Sequence, residues 1–217
     1  MTRSLTLPSP HSAGAAWKND AVAASLTSTT NGTTNATTRA GDPTRQLLRH
    51  IMVVGGTLRD WEDLGDQRWD DRVDRLGAVA DHAGASFLTL RAFEPGIDPV
   101  DLQWWERQVG SCHVIVDPCG DGRQRFAEAM QELLPDEPVN EATVAEALYA
   151  PADCEPDLIV VLGESTRLPP SLVWELAYSE LVFHPIGWHE LRPDDLVEAI
   201  GDFARRERRF GGIDDES

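Results

Sequence analysis

Residues 157–167 read Asp-Leu-Ile-Val-Val-Leu-Gly-Glu-Ser-Thr-Arg, an apolar run between Asp157 and Gly163. Such a continuous run is typical of a parallel strand that is buried on both faces. The polar loop that follows contains Pro169 and Pro170, and proline suits the first turn of a helix because its missing N–H would be unpaired there. We therefore predict a helix next, with an apolar side formed by Leu172, Val173, Leu176 and Ala177. Open α/β sheets bind ligands at the carboxyl ends of their strands, so this loop is a candidate site.

Predicted strands and helices alternate along the rest of the chain. The predicted strands are residues 47–54, 86–90, 112–116 and 181–183, and the predicted helices are about 57–82, 100–109, 123–134, 141–150 and 193–208. In the first helix, apolar residues recur every three or four positions, which indicates an amphipathic helix that Gly84 caps. This alternation predicts an α/β fold with a mainly parallel central sheet flanked by helices.

The 217 residues leave room for one domain with a real core, which we assign to residues 46–212. Residues 1–45 are rich in Ser, Thr and Asn and poor in large apolar groups, which predicts a disordered tail. Residues 213–217 form an acidic C-terminal tail. The domain is therefore expected to begin just before the first predicted strand.

Charge and cysteine usage exclude several classes of partner. The net charge of −18 argues against nucleic acid and anionic membranes as direct partners. No stretch approaches the roughly 20 apolar residues of a membrane span. The three cysteines form no C-x-x-C pair, which argues against a disulfide framework or a zinc site and fits a cytoplasmic location.

Two segments in the C-terminal third contain sets of residues whose identity and spacing together form a recognisable pattern. In the first they are Asp157, Leu158, Gly163, Arg167, Trp174, Ala177, Tyr178, Glu180 and Phe183. The second, residues 205–212, reads Arg-Arg-Glu-Arg-Arg-Phe-Gly-Gly. Together they resemble the C-terminal signature of cis-prenyltransferases, the family of undecaprenyl diphosphate synthase. The resemblance implies that family's fold, shortened in the middle, and a role in condensing isopentenyl diphosphate with an allylic diphosphate.

The N-terminal motif of the same family is matched only in part. Arg59 and Trp61 fall in step with it, and the resemblance implies that both bind substrate. The family's Asp, however, is Gly56 here. In the family that Asp and a glutamate corresponding to Glu180 are associated with Mg²⁺. Glu180 is thus the implied metal ligand, but one carboxylate without its partner holds Mg²⁺ poorly in this chain alone.

The isopentenyl diphosphate site is better matched. The resemblance implies that Arg167, Arg209 and Gly211 bind this substrate. The family's enzymes are dimers in which the C-terminal Arg-x-Gly motif of one subunit reaches the other's site. A homo- or heterodimer with a cis-prenyltransferase is therefore implied. The segment that walls the family's polyprenyl tunnel is largely absent, so the chain resembles the non-catalytic subunit of heteromeric cis-prenyltransferases.

Two alternatives to a partner subunit stay open. One is an active short-chain prenyltransferase that recruits a carboxylate from Asp60 or Asp63. The other is a protein that binds a prenyl diphosphate without turnover. We also expect Trp174 and Tyr178, which are four residues apart on the predicted helix, to be core residues.

Overall fold

The computed structural model describes residues 48–93, 104–133, 138–164 and 166–210, with side chains up to Arg206. Several predictions fall outside these residues: both terminal tails, Gly211 and the side chain of Arg209. The described residues include all the predicted strands except Leu47 at the start of the first.

The described residues contain six strands and five α-helices. The strands are β1 (His50–Val54), β2 (Phe87–Arg91), β3 (Trp105–Val109), β4 (Cys112–Asp117), β5 (Leu158–Leu162) and β6 (Glu180–His184). The helices are α1 (Leu58–Leu64), α2 (Asp66–Ala83), α3 (Gly122–Glu132), α4 (Glu141–Tyr149) and α5 (Pro193–Phe210). The six-stranded sheet has the order β3-β4-β2-β1-β5-β6. Every neighbouring pair is parallel except β3 with β4, so the predicted α/β fold with a mainly parallel sheet is confirmed.

Alternate side chains of the central strands fill two cores, one on each face of the sheet. In β1, Ile51 and Val53 pack with residues of α2 and α5, whereas Met52 and Val54 pack with residues of α3 and α4. All four are fully buried. Both faces of the sheet are covered, which is why its central strands consist of continuous apolar runs.

The long helix predicted at 57–82 is two helices. Gly65 separates α1 from α2 and has a φ of 74°, a left-handed value that glycine adopts readily. The predicted cap at the other end is confirmed, since Gly84 is left-handed and its N–H donates to the carbonyl groups of Ala80 and Asp81. The apolar spacing of residues 57–82 correctly indicated amphipathic helix, but it does not reveal the interruption at Gly65.

The prediction of a helix at 100–109 is wrong for the residues that the structure describes. Residues 105–109 form β3, which pairs with β4 through a hairpin whose tip is Gly110-Ser111. Trp105, Arg107 and Val109 are partly buried and alternate with exposed residues, the period of a strand with one covered face. Residues 100–103 lie outside the described residues.

The helix predicted after Pro170 is also wrong. The chain forms only one short 3-10 turn there, Glu175–Ala177, preceded by bonds such as the Leu172 N–H to the Pro169 carbonyl. Tyr178 is 61% exposed, so its assignment to the core is wrong, whereas Trp174 is partly buried against the core. The segment departs from a helix because Glu175 is drawn into a buried ion cluster, described below.

Helix α5 packs against β5 and β6 on the face of the sheet that also carries α2. It buries Leu196, Ala199 and Phe203 against the core that it shares with α2. Among the helices that the structure describes, none is long and apolar enough to cross a membrane.

Candidate functional site

The carboxyl ends of the parallel strands bring together three of the residues predicted to bind substrate. Arg59 and Trp61 lie on α1, directly after β1, and Arg167 lies in the loop after β5. Phe93, just beyond β2, connects them: its N–H donates to the Gly56 carbonyl at 2.8 Å, and the Arg167 guanidinium lies over its ring at 5.4 Å. The exposed cations Arg59 and Arg167 therefore flank one edge of the sheet, where an anion can approach.

The loop between β1 and α1 (residues 55–57, the β1–α1 loop) is held by a helix cap. The Thr57 hydroxyl accepts from the Asp60 N–H at 3.1 Å, and the Asp60 carboxylate accepts from the Thr57 N–H at 2.7 Å and from its hydroxyl at 2.8 Å. The hydrogen bond from the Thr57 N–H holds the pKa of Asp60 below its ordinary value. His189 lies 3.6 Å from the same carboxylate. The Asp60 carboxylate is thus bonded within the N-terminal cap of α1.

The space beside Gly56 is filled by aromatic rings. Trp61 stacks on Trp188 with ring centroids 5.2 Å apart, and its indole N–H donates to the Gly55 carbonyl at 2.9 Å. A Cβ at position 56 would lie 2.8 Å from the Cβ of Trp188 and 3.1 Å from Nε1 of Trp61. Gly56 also has a φ of 71°, which side chains tolerate poorly. Trp61 therefore packs within the protein and closes the position at which the family carries its Asp.

Glu180, the predicted metal ligand, lies at the other end of the strands, their amino end (the amino edge of the sheet). It is the first residue of β6 and pairs with Leu158, which in turn pairs with Ile51 near the start of β1. Gly56 is five residues beyond Ile51, about 17 Å along the strands. The Glu180 carboxylate accepts from Arg206 at 3.1 Å. The structure does not bring Glu180 and the β1–α1 loop together.

The donors in the described residues do not suit Mg²⁺. The ion prefers several oxygen ligands in octahedral geometry. Position 56 offers none, Glu180 is paired with an arginine, and Asp60 caps α1. In the parts of the chain that the structure describes, no group of three or more His, Cys, Asp or Glu side chains is placed to hold a metal. We therefore derive no step that passes through the ion.

A buried ion cluster of Arg91, Asp117, Arg125 and Glu175 lies beneath the same carboxyl edge. Arg91 bonds Asp117 at 3.1 Å and Glu175 at 2.7 Å, and Arg125 bonds the same two carboxylates at 3.1 and 3.3 Å. Arg91 and Glu175 are almost fully buried. The two arginines and two carboxylates balance in charge, and this pairing offsets the free energy of removing the ions from water.

The pKa values in this cluster follow its pairing. Burial by itself raises the pKa of Glu175, but Arg91 and Arg125 outweigh burial and hold it below the ordinary value. Burial likewise lowers the pKa of Arg91, and Asp117 and Glu175 reverse that effect. Both shifts favour the charged forms of Arg91 and Glu175. Sequence reasoning missed it, although an arginine and an aspartate at the ends of two apolar strands were a visible signal.

The cluster anchors residues 166–178 (the β5–β6 segment), which otherwise have an apolar exposed surface. Glu175 is buried, whereas Leu168, Val173, Leu176 and Tyr178 are between 44% and 61% exposed. Phe126 of α3, also exposed, stacks on Trp174 with centroids 6.1 Å apart. One buried carboxylate thus holds in place a segment that presents apolar side chains outward.

The C-terminal motif follows a helix that ends at the amino edge of the sheet. Helix α5 extends to Phe210, and Arg206, one turn before Arg209, contacts Glu180 at the start of β6. Of the six predicted site residues, the structure groups Arg59, Trp61 and Arg167 at the carboxyl edge and places Glu180 at the other. Gly211 and the side chain of Arg209 are outside the described residues.

Comparison with known proteins gives the same family for the C-terminal half. The family model described as "Putative undecaprenyl diphosphate synthase" matches residues 110–211. Isoprenyl transferase 2 of Bradyrhizobium diazoefficiens is 42% identical over 99 residues, which cover 42% of this chain and 39% of that protein. The bifunctional protein CrtB/UppS of Streptomyces coelicolor is 32% identical over 171 residues, 75% of this chain and 29% of that protein.

A third relative is the (2Z,6E)-farnesyl diphosphate synthase of Mycolicibacterium smegmatis, 34% identical over 111 residues, 46% of this chain and 42% of that protein. The chain thus spans less than half the length of each of these curated relatives. Among solved structures, a probable undecaprenyl diphosphate synthase from Campylobacter jejuni aligns with a TM-score of 0.54 at 17% identity, covering 77% of this chain and all of that one. Lavandulyl diphosphate synthase from Lavandula x intermedia aligns with a TM-score of 0.51, also at 17% identity, covering 72% and 94%. These two likenesses establish the fold.

Proposed function

Since the chain belongs to the cis-prenyltransferase family, we propose that it is a catalytically degenerate partner subunit in polyprenyl diphosphate synthesis. In this role it forms a dimer with a cis-prenyltransferase that has an intact motif. Its own C-terminal Arg209 and Gly211 complete the partner's isopentenyl diphosphate site. The partner supplies the metal-holding carboxylate and the tunnel for the growing chain.

The closed space at Gly56 is the observation that carries this proposal. A missing Asp could in principle be replaced by a nearby carboxylate. Here a Cβ alone would come within 2.8 Å of Trp188, and the nearby Asp60 is already bonded to Thr57. The chain has therefore lost both the ligand and the room for it.

The direction of α5 supports action on another chain. Its last turns lie beside Glu180 at the amino edge, whereas the β1–α1 loop lies at the carboxyl edge. The two edges are about 17 Å apart. The described end of α5 thus lies far from the chain's own carboxyl edge, which favours a contribution in trans.

The apolar surface of the β5–β6 segment supports a protein partner. Contiguous exposed apolar side chains commonly mark protein interfaces, and aromatic residues are enriched there. Val173, Leu176 and Tyr178 are exposed, and so is Phe126, whose ring stacks on Trp174. We propose that the partner subunit covers these side chains.

Two exposed cations support a diphosphate contact in this chain. Arg59 and Arg167 are exposed at the carboxyl edge, and an arginine contact to a phosphate is charge-assisted. We propose that they retain weak affinity for isopentenyl diphosphate or another prenyl diphosphate. A cytoplasmic location also belongs to the proposal and is supported by three free cysteines.

The test is stimulation of a cis-prenyltransferase with an intact motif from the same genome, co-expressed with this chain. Deleting residues 209–217 should abolish the stimulation without unfolding the chain. Arg209→Ala should raise the partner's KM for isopentenyl diphosphate by about tenfold or more, since a charge-assisted contact is lost. Arg205→Ala, on the same helix, is the matched control and should leave the KM unchanged. Undiminished stimulation by the truncated chain contradicts the proposal.

An active short-chain prenyltransferase is the second candidate. The observation in its favour is the similarity to a farnesyl diphosphate synthase of Mycolicibacterium smegmatis, together with the two exposed arginines at the carboxyl edge. In this case Asp63, which is exposed on α1, has to take the role of the lost carboxylate, because Asp60 is occupied. Mg²⁺-dependent turnover by the chain alone that disappears in Asp63→Asn distinguishes this candidate. Saturable binding of a prenyl diphosphate without turnover or stimulation indicates a binding protein.

A further inference from the structure

Helix α5 is fastened to β6 at both ends. Near its start, Asp195 accepts the Arg192 N–H at 2.7 Å and lies 3.3 Å from Nε2 of His184, the last residue of β6. Near its end, Nη1 of Arg206 donates to the Glu180 carboxylate and to the Leu181 carbonyl, each at 3.1 Å. The helix therefore runs antiparallel to the strand, with one polar contact at each end.

The lengths of the two elements match this arrangement. From Asp195 to Arg206 the helix rises about 17 Å, at 1.5 Å per residue. From His184 back to Glu180 the strand covers about 13 Å. The difference is within the reach of an arginine side chain, so Arg206 extends back to the start of β6. Between the two contacts, Leu196, Ala199 and Phe203 are buried in the core.

We propose that Glu180 is a positioning residue, which fixes the end of α5 through Arg206 and thereby sets where the Arg209–Gly211 motif leaves the domain. This inference rests on the proposed function for its consequence in a partner's site. The family resemblance assigned this glutamate to a metal ion. In this chain its carboxylate faces a guanidinium, and it is about 17 Å along the sheet from the β1–α1 loop.

The position of Arg206 makes the contact effective. It lies one helical turn before Arg209, so a shift of the last turn moves the motif directly. Arg206 and Glu180 are 48% and 27% exposed, so the pair contributes at most about 1 kcal/mol and its loss should not unfold the domain. Loss of the pair should loosen the last turn and leave the core intact.

The experiment is a charge exchange with two readouts. The variants are Glu180→Arg, Arg206→Glu and the double variant with both changes. The first readout, on the chain by itself, is amide hydrogen exchange of residues 200–210. Each single variant should speed exchange about threefold, the effect expected for one partly exposed ion pair, and the double variant should return toward the native rate. Arg205→Glu breaks the pair of Arg205 with Asp202 within α5 but leaves the contact with β6, so it is the control for added negative charge and for loss of an ion pair on the same turn.

The second readout is the KM of the partner complex for isopentenyl diphosphate. The single variants should raise it with little change in kcat, and the double variant should lower it again. If the double variant restores slow exchange but not the KM, the carboxylate itself is needed and the inference is overturned. Unchanged exchange in both single variants also overturns it. If the native chain stimulates no partner, the proposed function fails, while the exchange data still decide whether Glu180 fixes α5.

Discussion

The β1–α1 loop lies at the carboxyl ends of the strands, whereas the β5–β6 segment runs from the carboxyl end of β5 back to the amino end of β6, and the two have different surroundings. Beside the first, Trp61 and Trp188 occupy the space next to Gly56. The second presents Val173, Leu176 and Tyr178 to the outside. The space beside Gly56 is thus filled by the chain's own aromatic rings, whereas apolar side chains of the β5–β6 segment are exposed. Under the proposed function, the filled space belongs to a site without catalysis and the exposed apolar surface to the contact with a partner.

The largest expected effect concerns the buried carboxylate that holds the β5–β6 segment. Glu175→Gln leaves Arg91 and Arg125 facing only Asp117, and breaking a buried pair by removing one partner costs about 3 to 5 kcal/mol. Urea denaturation should show this loss in the free energy of unfolding. Glu146→Gln, at an exposed position of α4, is the matched control and should change it by less than about 0.5 kcal/mol. Equal effects of the two substitutions would show that the ion cluster does not anchor the segment.

The second prediction concerns His50, which lies in the centre of the sheet and bonds the Cys154 carbonyl and the Thr89 hydroxyl, each at 2.9 Å. Burial lowers its pKa from 6.5 to about 4. Below pH 6.5 the unfolded chain takes up a proton that the folded chain does not. The stabilisation is therefore complete above pH 6.5 and is lost as the pH falls toward 4, by up to about 3 kcal/mol.

Denaturation measured between pH 7 and 4.5 checks this expectation. His50→Gln keeps a donor and an acceptor but cannot titrate, so its stability should change less across the same range. Glu175 adds acid sensitivity of the same sign at lower pH, because its pKa is held below the ordinary value. If His50→Gln has the same pH dependence as the native protein, the assignment to His50 is wrong.

The third prediction separates the two causes that keep position 56 a glycine. Gly56 and Gly65 have nearly the same φ, 71° and 74°, but a Cβ at Gly65 meets nothing within 4 Å. Gly65→Ala measures the cost of the backbone conformation alone, about 1 to 2 kcal/mol, because φ 74° with ψ 154° is a region that residues other than glycine rarely adopt. Gly56→Ala should cost about 1 kcal/mol more, because its Cβ also presses on Trp188. Equal costs would mean that the space beside Gly56 is open.

The smallest expected effect on stability concerns the exposed apolar surface. Leu176→Glu places a charge where the side chain is 44% exposed, so the free energy of unfolding should change by less than about 0.5 kcal/mol. Association with the partner subunit should nevertheless be lost, because a charge is desolvated in the interface. Sedimentation of the mixed proteins measures this, with Val197→Glu on exposed α5 as the control. Intact association in Leu176→Glu would move the interface elsewhere.

Much of the fold could be predicted because the spacing of apolar residues along the chain indicates which side chains are buried. Strand β5 was predicted with its observed ends, since an unbroken apolar run such as Leu158–Leu162 fits a strand covered on both faces. The β5–β6 segment was misread as a helix. Its apolar spacing is helical, but the backbone conformation is set by Glu175 reaching arginines on β2 and α3, contacts that no local pattern contains.

The sequence predicted which residues belong to the candidate site but not where they lie relative to one another. Matching residues located Arg167 and Glu180 in the chain but not at opposite edges of the sheet, which depends on strand order and register. The loss of the Asp was visible at Gly56. That Trp188, far away in the sequence, fills the space could not be read from the chain, because it is a contact between distant residues.

A partner subunit should be silent alone and act only together with a cis-prenyltransferase. The direct measurement is incorporation of labelled isopentenyl diphosphate, with Mg²⁺ and farnesyl diphosphate, by the chain alone, by a cis-prenyltransferase with an intact motif from the same genome, and by both together. We expect no product from the chain alone and more product from the mixture than from the partner by itself. Product from the chain alone would contradict the proposed function.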